Sequence, residues 1–228
     1  MRHAIRLIAV VLALGLSGPV MAGPLEDAVA AYEKGDYPTA LRVLHPLADQ
    51  GYATAQFNLG VMYYNGRGVP QDYAQAMAWF RKAADQGLAT AQFNLGVLYG
   101  NGQGIPQDYS QAVAWYRKAA DQGHAPAQVN LGTMYENGQG VPQDYGQAVA
   151  WYRKAADQGL AAAQLNLGAM YYNGQGVPQD YVQAHKWFNL GATKGDADAV
   201  KNRDIIAKKM TPAQIAEAQK LAREWKPK

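Results

Sequence analysis

The sequence predicts an all-α protein, a solenoid of helix–turn–helix units with a period of 36 residues and helical caps. Three observations carry this. First, Trp79, Trp115, Trp151 and Trp187 stand 36 residues apart, and Tyr73, Tyr109, Tyr145 and Tyr181 keep the same interval. So do Gly51, Gly87, Gly123, Gly159 and Gly195. A fixed period of this length marks stacked supersecondary units, because one unit alone leaves an apolar face in water. Second, each period holds two stretches with apolar residues at helical spacing. Third, a short Gly- and Pro-bearing segment separates them: NGRGVPQDY at 65–73, NGQGIPQDY at 101–109, and NGQGVPQDY at both 137–145 and 173–181.

In chain order, residues 1–22 (MRHAIRLIAVVLALGLSGPVMA) read as a cleavable signal peptide. Arg2 and Arg6 form the basic start, and Leu7 to Leu16 form an apolar core too short to span a bilayer. Val20 and Ala22 supply the small residues for cleavage after Ala22. The expectation is a periplasmic or secreted protein with no stable membrane insertion once the leader is removed. Residues 23–50 form a divergent helical pair, with Leu41, Leu44 and Leu47 striping its second helix after the Gly35-Asp36 turn. Residues 51–195 hold four units. In the first, Ala55, Leu59, Gly60 and Tyr63 share one stripe of the first helix. The second helix opens at Asp72, an N-cap residue with Gln75 placed to bond back. Ala76, Trp79, Phe80 and Ala83 form its apolar face, and Gly87 ends it. Residues 196–228 are capping helices; Thr211, Pro212 and Gln214 open the last, whose apolar stripe is Ile215, Ala218, Leu221, Ala222 and Trp225.

The glycine-rich segment invites a phosphate-loop reading. Such a loop follows a strand and carries Gly-Lys-Ser/Thr or a third glycine, and this one has neither. It connects two helices: Gly66 and Gly68 permit positive φ, and Pro70 cannot continue a helix.

The chain has 21 Lys plus Arg against 18 Asp plus Glu, a balance that asks for no nucleic acid. The absence of Cys excludes disulfides, thiolate metal sites and a cysteine nucleophile. His45, His124 and His185 fall in different units, and no HExxH, GxSxG or SxxK motif occurs. The sequence therefore predicts no catalytic residue, no metal site and no cofactor. The Arg81-Lys82 pair and its copies read as solvated partners of nearby acids such as Asp85.

The pattern A-x-x-x-L-G-x-x-Y, then N-G-x-G-V, then D-x-x-x-A-x-x-W-[FY]-x-x-A-A-x-x-G resembles the Sel-one-like repeat family, longer cousins of tetratricopeptide repeats. The resemblance covers 51–195. It implies a right-handed α-solenoid with the first helices lining a concave wall, and a role in assembling or regulating other proteins.

A second stripe on the first helices varies between units: Thr54, Phe57, Val61 and Tyr64, then Thr90, Phe93, Val97 and Gly100. The third unit has Pro126, Val129, Thr133 and Glu136, and the fourth Ala162, Leu165, Ala169 and Tyr172. Asn58, Asn94, Asn130 and Asn166 stand beside it, and an amide pairs with both polar groups of a peptide backbone. Two readings stay open: a groove that reads a partner, or packing between units. The groove reading names Phe57, Asn58, Val61, Tyr64, Phe93, Asn94, Val97, Asn130, Glu136, Leu165, Asn166 and Tyr172 as partner-binding. It predicts a non-enzymatic scaffold or adaptor in the cell envelope that holds a protein or peptide segment. One alternative is a cell-wall-active or β-lactam-hydrolysing enzyme. Another is a glycan- or peptidoglycan-binding module, with Tyr64 and Tyr172 stacked on sugars.

Overall fold

The computed structural model describes residues 22–228. The predicted signal peptide lies outside the described residues except for Ala22. Among those residues the chain forms twelve α-helices and no strand. It divides into two compact units, one running through Ala119 and the other from Ala120 to Lys228.

The first unit contains α1 (Ala22–Glu33), α2 (Tyr37–Asp49), α3 (Ala53–Asn65), α4 (Tyr73–Asp85), α5 (Ala89–Asn101) and most of α6 (Tyr109–Asp121). The divergent pair α1–α2 buries Ala28, Val29, Leu44 and Leu47 against Ala55, Leu59 and Met62 of α3. Next along the stack, Phe57, Val61, Phe80, Leu95, Leu98 and Trp115 form a second core.

The second unit contains α7 (Ala125–Asn137), α8 (Tyr145–Asp157), α9 (Ala161–Asn173), α10 (Tyr181–Thr193), α11 (Ala197–Ala207) and α12 (Pro212–Glu224). Its core gathers Tyr152, Leu167, Met170, Trp187 and Leu190. Ala222 of α12 joins that core, and Trp225 packs edge-on against Trp187 at 6.3 Å. Leu190 stands where the earlier units carry Lys, so the apolar residue marks the place that α12 covers.

Helix ends follow from local chemistry. Asp72 accepts from the backbone N–H groups of Ala74 at 2.9 Å and Gln75 at 3.0 Å. Its own N–H is committed to the Tyr63 carbonyl at 3.0 Å, so Gln75 makes no return bond to it. The two-sided box does form at Thr211 and Gln214. The connector is a structural turn. Gly66 ends α3 in the left-handed region at φ 64, and its N–H bonds the Met62 carbonyl. Gln71 then reaches back to the Tyr64 carbonyl at 2.8 Å, and Gln107, Gln143 and Gln179 repeat that bond at 2.6, 2.8 and 2.8 Å.

Units are joined by glutamines whose role the sequence did not announce. Gln56 donates to the Ala48 carbonyl at 3.1 Å. Gln86 then donates to the Gln56 side chain at 2.8 Å and to the Gly51 carbonyl at 2.9 Å. Gln128 and Gln158 repeat the joint with Ala120 at 3.1 Å, with each other at 2.9 Å and with Gly123 at 3.0 Å. In the fourth copy Gln164 keeps its bond to Ala156, but Lys194 stands where a glutamine would donate, and Gln164 Oε1 has no hydrogen-bond partner.

The basic pairs behave differently from the sequence expectation. Among the described residues no ion pair joins Arg81 or Lys82 to Asp85. Lys82 lies over the Trp79 ring at 3.9 Å, and Lys154 repeats the arrangement over Trp151 at 3.9 Å. Arg81 bonds the Tyr99 hydroxyl at 2.9 Å and lies over the Trp115 ring at 4.7 Å. An aromatic face beside a long cationic side chain offers both packing and quadrupole attraction, which an exposed carboxylate does not.

Candidate binding face

The first helices carry the candidate stripe, and the two units present it differently. In the first unit Phe57, Asn58, Val61, Tyr64, Phe93, Asn94 and Val97 are all buried, Asn58, Val61 and Val97 completely. Phe57 packs on Phe80 at 5.6 Å between ring centroids. Tyr64 packs on Tyr73 at 5.2 Å and donates to Gln103 Oε1 at 3.1 Å. Asn94 spends its amide on the Thr90 carbonyl at 2.9 Å. As packed here, these seven side chains serve the core, because α4 and α6 supply aromatic rings that cover them. Neither polar atom of Asn58 has a hydrogen-bond partner.

In the second unit Glu136, Leu165, Asn166 and Tyr172 are half-buried and reach solvent, while Asn130 is half-buried with its amide nitrogen enclosed and without a hydrogen-bond partner. Smaller side chains explain the opening. Val129 stands where Phe57 and Phe93 stand, and Thr133 and Ala169 replace Val61 and Val97. Leu165 leans on the cluster of Phe188 and Ile206. Tyr172 stacks on Tyr181 at 5.8 Å and accepts from Lys209 Nζ at 2.7 Å.

The stripe also continues where sequence reasoning placed only a cap. Asn202 follows Asn166 by 36 residues, and Ile205 follows Ala169 by the same interval, both on α11. Ile205 is 44% exposed, one of two large apolar side chains so exposed among the described residues. The conserved-looking spacing within the chain was the available signal; it was hidden because Arg203 and Asp204 replace the Leu and Gly of the preceding copies.

A hydrogen-bonded cluster sits on the stripe of the third repeat. Tyr152, fully buried on α8, reaches between α7 and α9. Its hydroxyl donates to Glu136 Oε2 at 2.6 Å and bonds Thr133 Oγ1 at 3.0 Å. Burial first, and then the Glu136 carboxylate, push the phenol far above its ordinary pKa, so Tyr152 keeps its proton and donates it to Glu136.

The remaining titratable candidates are structural. His124 caps α7, its Nδ1 accepting from the Ala127 N–H at 3.3 Å, and burial lowers its pKa to about 4. His185 is buried in the core at 2% exposure, and burial lowers its pKa too. Among the described residues no group of three or more His, Cys, Asp or Glu is placed to hold a metal ion, and no helix is long and apolar enough to cross a membrane.

The Sel1 repeat pattern matches residues 53–88, 89–124, 125–160 and 161–196. Among solved structures, the chain is similar to c5321, a protective antigen of uropathogenic Escherichia coli displaying an SLR fold: 38% identity, TM-score 0.79, over 90% of this chain and 46% of that one. The chain thus spans less than half of that relative's length. It is also similar to a Sel1 repeat protein from Oxalobacter formigenes at 35% identity and TM-score 0.75, over 87% of this chain and 84% of that one. A sel1 repeat protein from Klebsiella pneumoniae subsp. pneumoniae, at 22% identity and TM-score 0.53 over 82% and 93% of the two chains, shares the fold. No curated protein matches. Sel1 repeat proteins generally mediate protein–protein interaction, and their fold is typically a non-enzymatic scaffold. The four matched repeats, the stacked helix pairs and these relatives show that the chain belongs to the Sel1 repeat family.

Proposed function

We propose that the chain is a non-enzymatic scaffold of the cell envelope that holds a protein or peptide segment on the first helices of its second unit. One observation carries the reading: α9 and α11 carry half-buried amides in register at Asn166 and Asn202, beside the half-open Leu165 and Tyr172 and the exposed Ile205. Apolar side chains bordered by amides suit an extended chain, whose side chains need burial and whose backbone needs both donors and acceptors. The same stripe in the first unit is closed, so the reading concerns the second unit alone. Export is inferred from residues 1–22. A sugar-stacking role falls to Tyr172, since Tyr64 is buried.

Ile205 makes a clean test because its exposure lets a charge enter without burial. A photoreactive residue at 205 or 165 should crosslink to one partner in cells, and the same residue at exposed Ala150 should not. Binding of the purified partner should then be saturable and weakened by Ile205→Asp. Burying an Ile-sized side chain on a partner is worth about 1.5–3 kcal/mol, so the loss should be about tenfold or more. Equal crosslinking from all three positions, or unchanged affinity in the variant, removes the proposal.

A further inference from the structure

Glu136 is the only charged residue at the stripe and asparagine positions of α3, α5, α7 and α9. The other copies place Tyr64, Gly100 and Tyr172 there. The fold does not require the polar cluster around it. The slot of Tyr152 is filled by Phe80 in the first copy and Phe188 in the fourth, so a ring suffices for packing. What the hydroxyl adds is direction. A tyrosine oxygen offers one donor and two acceptor sites. With Thr133 beside it, the single proton of Tyr152 goes to Glu136 Oε2 at 2.6 Å and fixes the carboxylate. Among the described residues no Lys or Arg pairs with Glu136, and the side chain is half-open to solvent.

The aromatic neighbour changes as well. In the first and fourth copies the residue at this position pairs with the tyrosine that opens the next helix, Tyr64 with Tyr73 at 5.2 Å and Tyr172 with Tyr181 at 5.8 Å. In the third copy Glu136 takes that place, and the register sets Tyr145 beside it. A held carboxylate next to an aromatic ring is the chemistry that recognises an ammonium or guanidinium group. The same register carries Lys201 on α11 and Lys208 at its C-cap, so the acid and the bases lie at opposite ends of the face. We infer that Glu136, held by Tyr152 and flanked by Tyr145, takes a lysine or arginine side chain of the bound segment and so sets its direction. This rests on the binding reading above.

The test uses the full chain and a library of short leucine-anchored peptides carrying Lys, Arg, norleucine or Glu at successive positions. The wild-type protein should retain Lys or Arg peptides about tenfold or more over their norleucine counterparts, the scale of one charge-assisted hydrogen bond. Glu136→Gln should hold basic and norleucine peptides equally, and Glu136→Lys should favour Glu. Retention of leucine peptides without a basic preference overturns the inference and leaves the binding reading standing. Retention of no peptide at all overturns both. A basic preference that survives in Glu136→Gln also overturns the inference. Acetylating the lysine of the selected peptide supplies a check on the wild-type protein alone: affinity should fall about tenfold, and undiminished binding overturns the assignment.

Discussion

Lys194 is a single-residue interruption of an otherwise repeated joint. It leaves Gln164 Oε1 buried without a donor, whereas Gln86 and Gln158 supply that donor in other copies at 2.8 and 2.9 Å. Lys194→Gln should therefore stabilise the protein, by about 0.5–1.5 kcal/mol for one internal hydrogen bond. Chemical denaturation reads this directly, and a lower midpoint would contradict it. A second residue-scale expectation concerns acid. Burial depresses the pKa of His124 to about 4 from an ordinary 6.5, and that of His185 is also lowered. Between these values the unfolded chain binds more protons than the folded one, so stability is highest above about pH 6.5 and declines as pH falls toward 4. His124→Asn keeps a capping acceptor without the titration, so its Tm should fall less over the same interval. Parallel Tm-versus-pH curves for the two proteins would count against His124 as the responsible group.

At the scale of helices, the mid-helix glycine is a notch for a ring. A Cβ at Gly168 would stand 2.7 Å from Phe188 Cδ1, and one at Gly60 2.6 Å from Phe80 Cδ1. Phe188 is buried and cannot swing away. Gly168→Ala should gain about 1 kcal/mol of helix propensity but lose about 1–3 kcal/mol to overpacking. A net loss should appear in thermal melts, and a gain would mean that the helices separate easily. Much of this level could be read from the sequence. The glycine repeated within a helical stripe signalled a close approach, Asp72 and Thr211 signalled helix starts, and Gly66 a helix end. The candidate stripe was less legible. Phe57 and Val129 occupy the same register, yet the first belongs to the core and the second to a half-open face. Register assigns a side of a helix; whether that side is covered depends on the volume of neighbours from other helices. The glutamine joints escaped notice because a polar residue at helical spacing reads as surface until its partner, thirty residues away, is in place.

At the scale of the molecule, repeat stability is nearly a sum of local terms and nearest-neighbour contacts. Removing α12 by truncation after Met210 uncovers Trp187 and Leu190 and removes the contacts of Ala222 and Trp225. Losing that much apolar cover should cost several kcal/mol. Hydrogen exchange should accelerate in α8 to α11 while α2 to α4 keep their protection; uniform acceleration through both units would show a single cooperative block instead. The joint at Gln56 and Gln86 has a further consequence. Its atoms recur at Gln128 and Gln158, and the connector glutamines recur with them. A duplicated or deleted stretch of 36 residues would thus present the same plug to the same socket. Such a coat-rack can lengthen or shorten by whole pegs without inventing a new seam, while a gain or loss of any other size would misalign every later peg.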